Sequence, residues 1–287
     1  MFRLLPSQPM KRLPGNFRLY PFVLACMAAL ATGCMQVQGE KGGDKPPPGH
    51  KFDWKPLAYD STKQYIYLSF DDGPQHGTVA CYDLCRKEGI KASFFMVGLH
   101  TTLKRDGKQI VSMIREAYPQ ILLANHSYTH ALGKYKAFYQ HSLNAEADFL
   151  KAQDSLHVPF KILRLPGNNA WAEGKMVRAS KLVKPVTQLL DSAGYNVIGW
   201  DLEWHFGKKT EKPVQTPLEL ATQVDTLLAN NRTHTSHHLV ILAHDRMFRD
   251  AADADSLARF IAILKRNPRY VFETVDHYPQ VRVVHGQ

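Results

Sequence analysis

The chain has 287 residues, 44% of them hydrophobic and 22% charged, which excludes wholesale disorder and allows one large α/β domain or two small ones. Its formal charge of +10 is spread along the chain, and no basic cluster is interleaved with aromatic residues. That pattern argues against a nucleic-acid partner and for weak attraction to anionic polymers or lipids of a cell envelope.

Residues 1–33 read as an export signal. Arg3, Lys11, Arg12 and Arg18 lead into the apolar run "YPFVLACMAALATGC", and no acid occurs before Glu40. The apolar core from Tyr20 to Gly33 is shorter than the ~20 residues of a membrane-spanning helix, so the segment is expected to be removed rather than to anchor. A start at Met10 would give the basic region a more usual length. Small residues before Cys34 resemble a lipoprotein cleavage box, with Ala31 where leucine is commoner; this implies lipid on Cys34 and a place in the periplasm or cell envelope. Without the four leader charges, the +10 becomes +6. Residues 34–59, rich in Gly, Pro and charge, form the expected membrane-proximal linker, and residues 60–287 a single folded domain.

From residue 65 onward β-rich runs alternate with helical ones. "YIYLSF" precedes a helix over 78–88 that Gly89 ends, and "KASFFMV" one over 107–117 that stops before Pro119. "QILLAN" precedes an amphipathic stretch over 137–156, "FKILRL" a helix over 174–193, and "YNVIGW" one over 217–230. "HLVILAH" precedes the helical "ADADSLARFIAILKRN", and "YVFETV" closes the series. Seven β runs joined by long connections predict parallel strands with crossover helices, in an open sheet or a barrel, with chemistry at the carboxyl ends of the strands. Cys81 and Cys85 lie four apart on a predicted helix, ~5–6 Å between Cβ atoms against the ~3.8 Å of an unstrained disulfide, so buried free thiols are expected.

The strand ends carry the polar clusters. "LSFDDGP" sets Asp71 and Asp72 side by side, where Gly73-Pro74 supplies a turn that lets both serve one site; two adjacent carboxylates call for a metal ion or an arginine between or beside them. "NHSYTH" carries His126 and His130, which on a helical turn would share a face and meet one cation. "RLPGNNAW" places Arg164 as a counter-charge for Asp71 or Asp201, with exposed backbone amides in the turn that follows. "WDLEW" supplies Asp201, Glu203 and Trp204, and "LVILAH" ends at His244. His234, His237 and His238 precede their strand and are read as loop residues at the opposite rim.

In this order the clusters resemble the five motifs of the polysaccharide deacetylase family, also called the NodB-homology or carbohydrate esterase family 4 group, over about residues 60 to 280. The resemblance implies a distorted (β/α) barrel with about seven parallel strands. It also implies one divalent metal ion, zinc or otherwise cobalt, nickel or manganese, and hydrolysis of N- or O-acetyl groups on a polysaccharide such as a chitin-like polymer, peptidoglycan or an exopolysaccharide. It makes Asp71 the general base, Asp72, His126 and His130 the metal ligands, and His244 the general acid. Arg164 would orient Asp71, Asp201 would tune His244, and Trp204 would wall the acetyl pocket. Two departures stand out. Gly167 replaces the aromatic residue usual after the third motif's proline, so the Gly167 amide becomes the oxyanion donor and Trp171 a substitute for sugar stacking. The fourth motif is shortened, leaving Asp201 or Glu203 to face His244. The alternatives are an acetylxylan-type esterase or non-sugar amidase on the same fold, and a non-catalytic glycan-binding lipoprotein. A monomer is expected.

Overall fold

A computed structural model of the chain describes residues 52–283. The predicted leader over 1–33, Cys34 and the linker as far as residue 51 lie outside the described residues, as do residues 284–287. Among the described residues no helix is long and apolar enough to cross a membrane.

Strand β1 (Gln64–Gly73), buried along nearly its whole length, pairs with three neighbouring strands. On one side it pairs in parallel with β9 (His238–His244), whose His244 sits opposite Asp71. On the other it pairs with β10 (Tyr270–Phe272) along its first residues and with β2 (Ala92–Met96) along its last. The parallel series continues through β3 (Ile121–Asn125), β4 (Ile162–Leu163) and β7 (Asn196–Val197). Helices α1 (Thr78–Glu88), α2 (His100–Leu103), α3 (Gly107–Glu116), α4 (Tyr135–Gln140), α5 (Ser142–Leu156), α6 (Lys184–Ser192), α7 (Pro217–Ala229) and α8 (Ala251–Lys265) make the connections. Left-handed Gly89 caps α1, and a reciprocal Thr216–Glu219 capping box starts α7.

All seven predicted β runs form strands, and three short strands add to them. The stretch expected to be helical over 174–193 instead opens with an antiparallel hairpin, β5 (Trp171–Glu173) and β6 (Met176–Arg178), turned at Gly174 with φ of 60°. Helix α6 begins only where Pro185 supports a first turn. The predicted helix over 137–156 is two helices broken at His141. Strand β8 (Leu202–Glu203) pairs with β9 and ends the sheet, whose order is β6-β5-β7-β4-β3-β2-β1-β9-β8 with β10 beside β1. The two ends of that order do not pair, so the mixed sheet curls without closing, in a distorted (β/α) barrel.

Alternation along β1 sorts the core. Ile66, Leu68 and Phe70 pack with Cys81, Ile114, Leu220 and Phe260 under the helices. Tyr65 and Tyr67 point the other way, into an inner cluster with Phe95, Leu122, Ile162 and Val240. Cys81 and Cys85 are buried free thiols in the helical layer, and burial raises the pKa of both. Residues 52–59 carry the packed body upstream of residue 60: Phe52 meets Tyr118 and Phe160 edge-on, and Trp54 stacks on His277.

His277 ties that stretch to the last strand. Its Nε2 donates to the Lys55 carbonyl at 2.9 Å, and its Nδ1 lies 3.2 Å from Glu273 Oε1 and 3.5 Å from Asp276 Oδ1. Burial alone would lower its pKa, but the contacts with Asp276 and Glu273 win and raise it to about 10. A pKa raised in the folded state gives stability that is fully present below the unfolded value of ~6.5 and is lost as pH rises through about 10. We expect the wild-type Tm to fall between pH 7 and pH 10.5 by more than that of His277→Asn. The difference should be about 3 °C, the shift that ~1 kcal/mol of partly screened pairing gives a domain of this size. Parallel Tm curves for the two proteins would refute this role.

Candidate active site

The carboxyl ends of β1, β3, β4 and β9 meet at a cavity of about 430 Å³. Strict alternation would put Asp71 and Asp72 on opposite faces. The register against β2 shifts between Asp71 and Gly73, so Asp72 is the extra residue of a bulge, held at φ of 76°. The bulge turns the Asp72 carboxylate into the same cavity as Asp71. Gly77 is required just beyond: a Cβ there would lie 1.7 Å from the Asp245 carbonyl oxygen.

Arg164 is completely buried. Its Nη1 donates to Asp71 Oδ1 at 2.8 Å and to Ser69 Oγ at 2.8 Å, while Nε and Nη2 donate to the carbonyls of Ile198 and Gly199. Between the two acids left open by the sequence, Arg164 therefore pairs with Asp71. Asp71 Oδ2 lies on the other side, 3.6 Å from His126 Nε2.

The two histidines are not on a helical turn. After Asn125 the chain turns at Ser127 with φ of 67°; Asp148 Oδ2 accepts the backbone N–H groups of Tyr128 and Thr129, and Ser127 Oγ accepts that of His130. This braced loop brings His130 Nε2 to 2.9 Å and His126 Nε2 to 3.4 Å from Asp72 Oδ1. His126 Nδ1 must be the protonated nitrogen facing the Arg164 carbonyl at 3.0 Å, since a carbonyl only accepts. A neutral His126 then points its bare Nε2 at the carboxylates. Asp72 Oδ1 is enclosed yet makes no hydrogen bond of good geometry. Three electron-rich atoms within 4.8 Å of one another, one of them orphaned, fit a cation with one carboxylate and two imidazole ligands.

The remaining charges are set by these neighbours. Burial would raise the Asp72 pKa, but His126 and His130, with the field of His244, hold it well below the usual carboxylate range. Burial lowers that of His244 against the opposing pull of Asp72 and Asp71. His244 Nε2 is 4.0 Å from Asp72 Oδ2, its Nδ1 is enclosed without a partner, and its ring meets Phe206 edge-on. Asp245 is wholly buried behind Asp72, accepts a hydrogen bond from Thr78, and is raised by desolvation to about 7.

Gly167 lines the cavity at φ of 63°, and a Cβ there would press on the Tyr135 ring at 3.1 Å. Three expectations are corrected. Asp201 does not face His244: its oxygens accept the backbone N–H groups of His234 at 2.5 Å and Val240 at 2.8 Å, and Glu203 is the acid that lines the cavity. Trp204 is not a wall of the cavity, because it alternates with Glu203 and falls into the helical layer against Phe248 and Phe260. Trp171 has no free face for a sugar at this site; it is buried and stacked on His234 at 4.0 Å. The walls are Trp200 and Phe206.

Arg246 is a functional candidate that sequence reasoning missed. Its Nη2 donates to Asp72 Oδ2 at 2.8 Å, and it continues through Glu211 to Arg249. Its place two residues after His244, at a strand tip, was the available signal.

Residues 58–171 match the family model described as polysaccharide deacetylase. Among curated relatives, a chitin disaccharide deacetylase of Vibrio alginolyticus is 23% identical over 77% of this chain and 73% of its own length. Among solved structures, the catalytic domain of a peptidoglycan N-acetylglucosamine deacetylase from Eubacterium rectale superposes with a TM-score of 0.54 at 20% identity, covering 80% of this chain and 95% of that one. A chitin deacetylase from Colletotrichum lindemuthianum gives 0.55 at 17% identity with the same coverages. The segment that resembles the polysaccharide deacetylase family runs through the strand tips that carry Asp71, Asp72, His126, His130 and Arg164.

Proposed function

We propose that this protein hydrolyses acetyl groups, N-linked or O-linked, from a polysaccharide, with one divalent cation, zinc in the first instance, held by Asp72, His126 and His130. The observation that carries the reading is the meeting of that donor set with a spare carboxylate, Asp71, clamped by a fully buried arginine in one cavity. A cation bound there supplies Lewis acidity and lowers the pKa of water from 15.7 toward ~7. The chain's own groups do the rest. Arg164 fixes Asp71 Oδ1, so Oδ2 is the oxygen that takes the proton of the attacking water. The Gly167 amide, on an exposed left-handed turn, donates to the carbonyl oxygen as negative charge develops. His244 returns a proton to the departing nitrogen or oxygen. Trp200 and Phe206 flank the acetyl group and exclude water. Base and acid come from different strands, so no covalent serine or cysteine intermediate is needed.

The test is metal content together with acetate release from chitooligosaccharide, peptidoglycan and acetylxylan. Stoichiometric metal with release from an N-acetylated glycan supports the proposal. Release from acetylxylan alone moves it to an esterase, and metal without release from any substrate moves it to a glycan-binding protein. We further propose export and a lipid anchor at Cys34; Cys34→Ser is expected to shift the protein from membrane to soluble fractions, and an unchanged distribution would exclude the anchor.

A further inference from the structure

The barrel leaves a seam where its two sheet ends fail to pair, and the seam holds a second cavity of about 550 Å³. The β5–β6 hairpin, the β7–β8 connection and the segment before β9 supply its walls. Trp200 lines this cavity and the catalytic one, so the two share a wall. Asn169 pins Trp200 in place, accepting its backbone N–H at 3.2 Å and donating to its carbonyl at 2.8 Å.

The seam cavity carries an excess of positive charge, two arginines against one lining carboxylate, Asp201, which attracts Arg178. Arg178 and Arg232 line it, both exposed, and neither guanidinium has a hydrogen-bonded or ion-paired partner among the described residues. The carboxylate that lines it, Asp201, is committed to the two backbone N–H groups of His234 and Val240. His234 is held behind by Glu173, 2.7 Å from its Nε2, and by the Trp171 ring. With its side chain 3% exposed, its Nδ1 is enclosed and has no partner. Two guanidinium forks beside an aromatic wall match a carboxylate carried on a sugar ring.

We propose that the seam cavity is a recognition subsite for a carboxylate-bearing sugar next to the acetylated residue, so that the substrate class is an acidic acetylated glycan. The inference rests on the deacetylase reading for the neighbouring cavity, and it needs only binding at the seam. Arg178 and Arg232 are the specificity-determining residues, and Trp200 the partition over which the chain passes from one cavity to the other.

The probes are an alternating glucuronate–N-acetylglucosamine tetrasaccharide and the neutral N-acetylglucosamine tetramer, compared by calorimetry on the Asp71→Asn protein and by steady-state kinetics on wild type. The acidic probe is expected to bind about 10-fold tighter, an advantage that shrinks with salt. The double variant Arg178→Gln/Arg232→Gln should remove that advantage, raising KM for the acidic probe while leaving its kcat and both constants for the neutral probe unchanged. Equal affinity for the two probes, no binding of either, or an equal loss for both in the double variant would overturn the proposal. Arginine-dependent preference for the acidic probe with no acetate release would keep this subsite while sinking the catalytic reading.

Discussion

Asp71→Asn is expected to lower deacetylation by about 10³-fold, within the range commonly carried by a positioned general base, while the protein folds and keeps its cation. The substitution keeps the shape and the oxygen that Arg164 Nη1 can donate to, but removes the basic pair on Oδ2. It also removes the counter-charge of a completely buried guanidinium. Losing one partner of a buried pair typically costs ~3–5 kcal/mol, so a lower Tm accompanies the lost turnover. The two effects separate in the double variant Asp71→Asn/Arg164→Met: discarding the unpaired charge should recover part of the Tm and none of the rate. Turnover is counted per metal-loaded molecule, which keeps a folding defect from passing as a chemical one. An Asp71→Asn protein working at the wild-type rate would sink the assignment of the base.

The strand tips were legible because their polar residues interrupt apolar runs, and all seven runs became strands. What stayed hidden is non-local. The turn at Gly73-Pro74 hinted that Asp71 and Asp72 share a face, yet the device is a bulge at Asp72, in a left-handed conformation that an L residue seldom signals. Which of Glu203 and Trp204 faces the cavity depends on the register of β8 against Ile241 and Leu242 of β9, which the resemblance that put Trp204 on the wall does not carry. The β5–β6 hairpin has three residues per strand, too few for a period of two to outweigh a helical reading of the longer stretch. The resemblance of "DLEW" to the family's fourth motif implied Asp201 as a partner for His244. Its carboxylate instead satisfies backbone N–H groups at the seam, where an unpaired donor would otherwise be buried.

His126→Ala is expected to abolish both metal binding and turnover, and to do so more completely than His130→Ala. His126 is the more deeply placed of the two proposed ligands, 2% exposed against 19% for His130, and its Nδ1 proton faces the Arg164 carbonyl. Through that carbonyl it is joined to the residue that holds the base, so its loss loosens both halves of the site. Wild-type protein with zinc at 100 times its Kd should gain ~2.7 kcal/mol of stability by mass action. His126→Ala should gain nothing measurable at the same zinc concentration, while His130→Ala keeps a fraction of the gain. Arg246→Ala gives the opposite expectation: the guanidinium on Asp72 Oδ2 draws on the charge of the carboxylate whose Oδ1 faces the cation and repels that cation, so removing it should tighten metal binding. A His126→Ala protein that still carries one equivalent of zinc and shows the wild-type thermal gain would show that the cation is held elsewhere, and the donor set of Asp72, His126 and His130 would have to be abandoned.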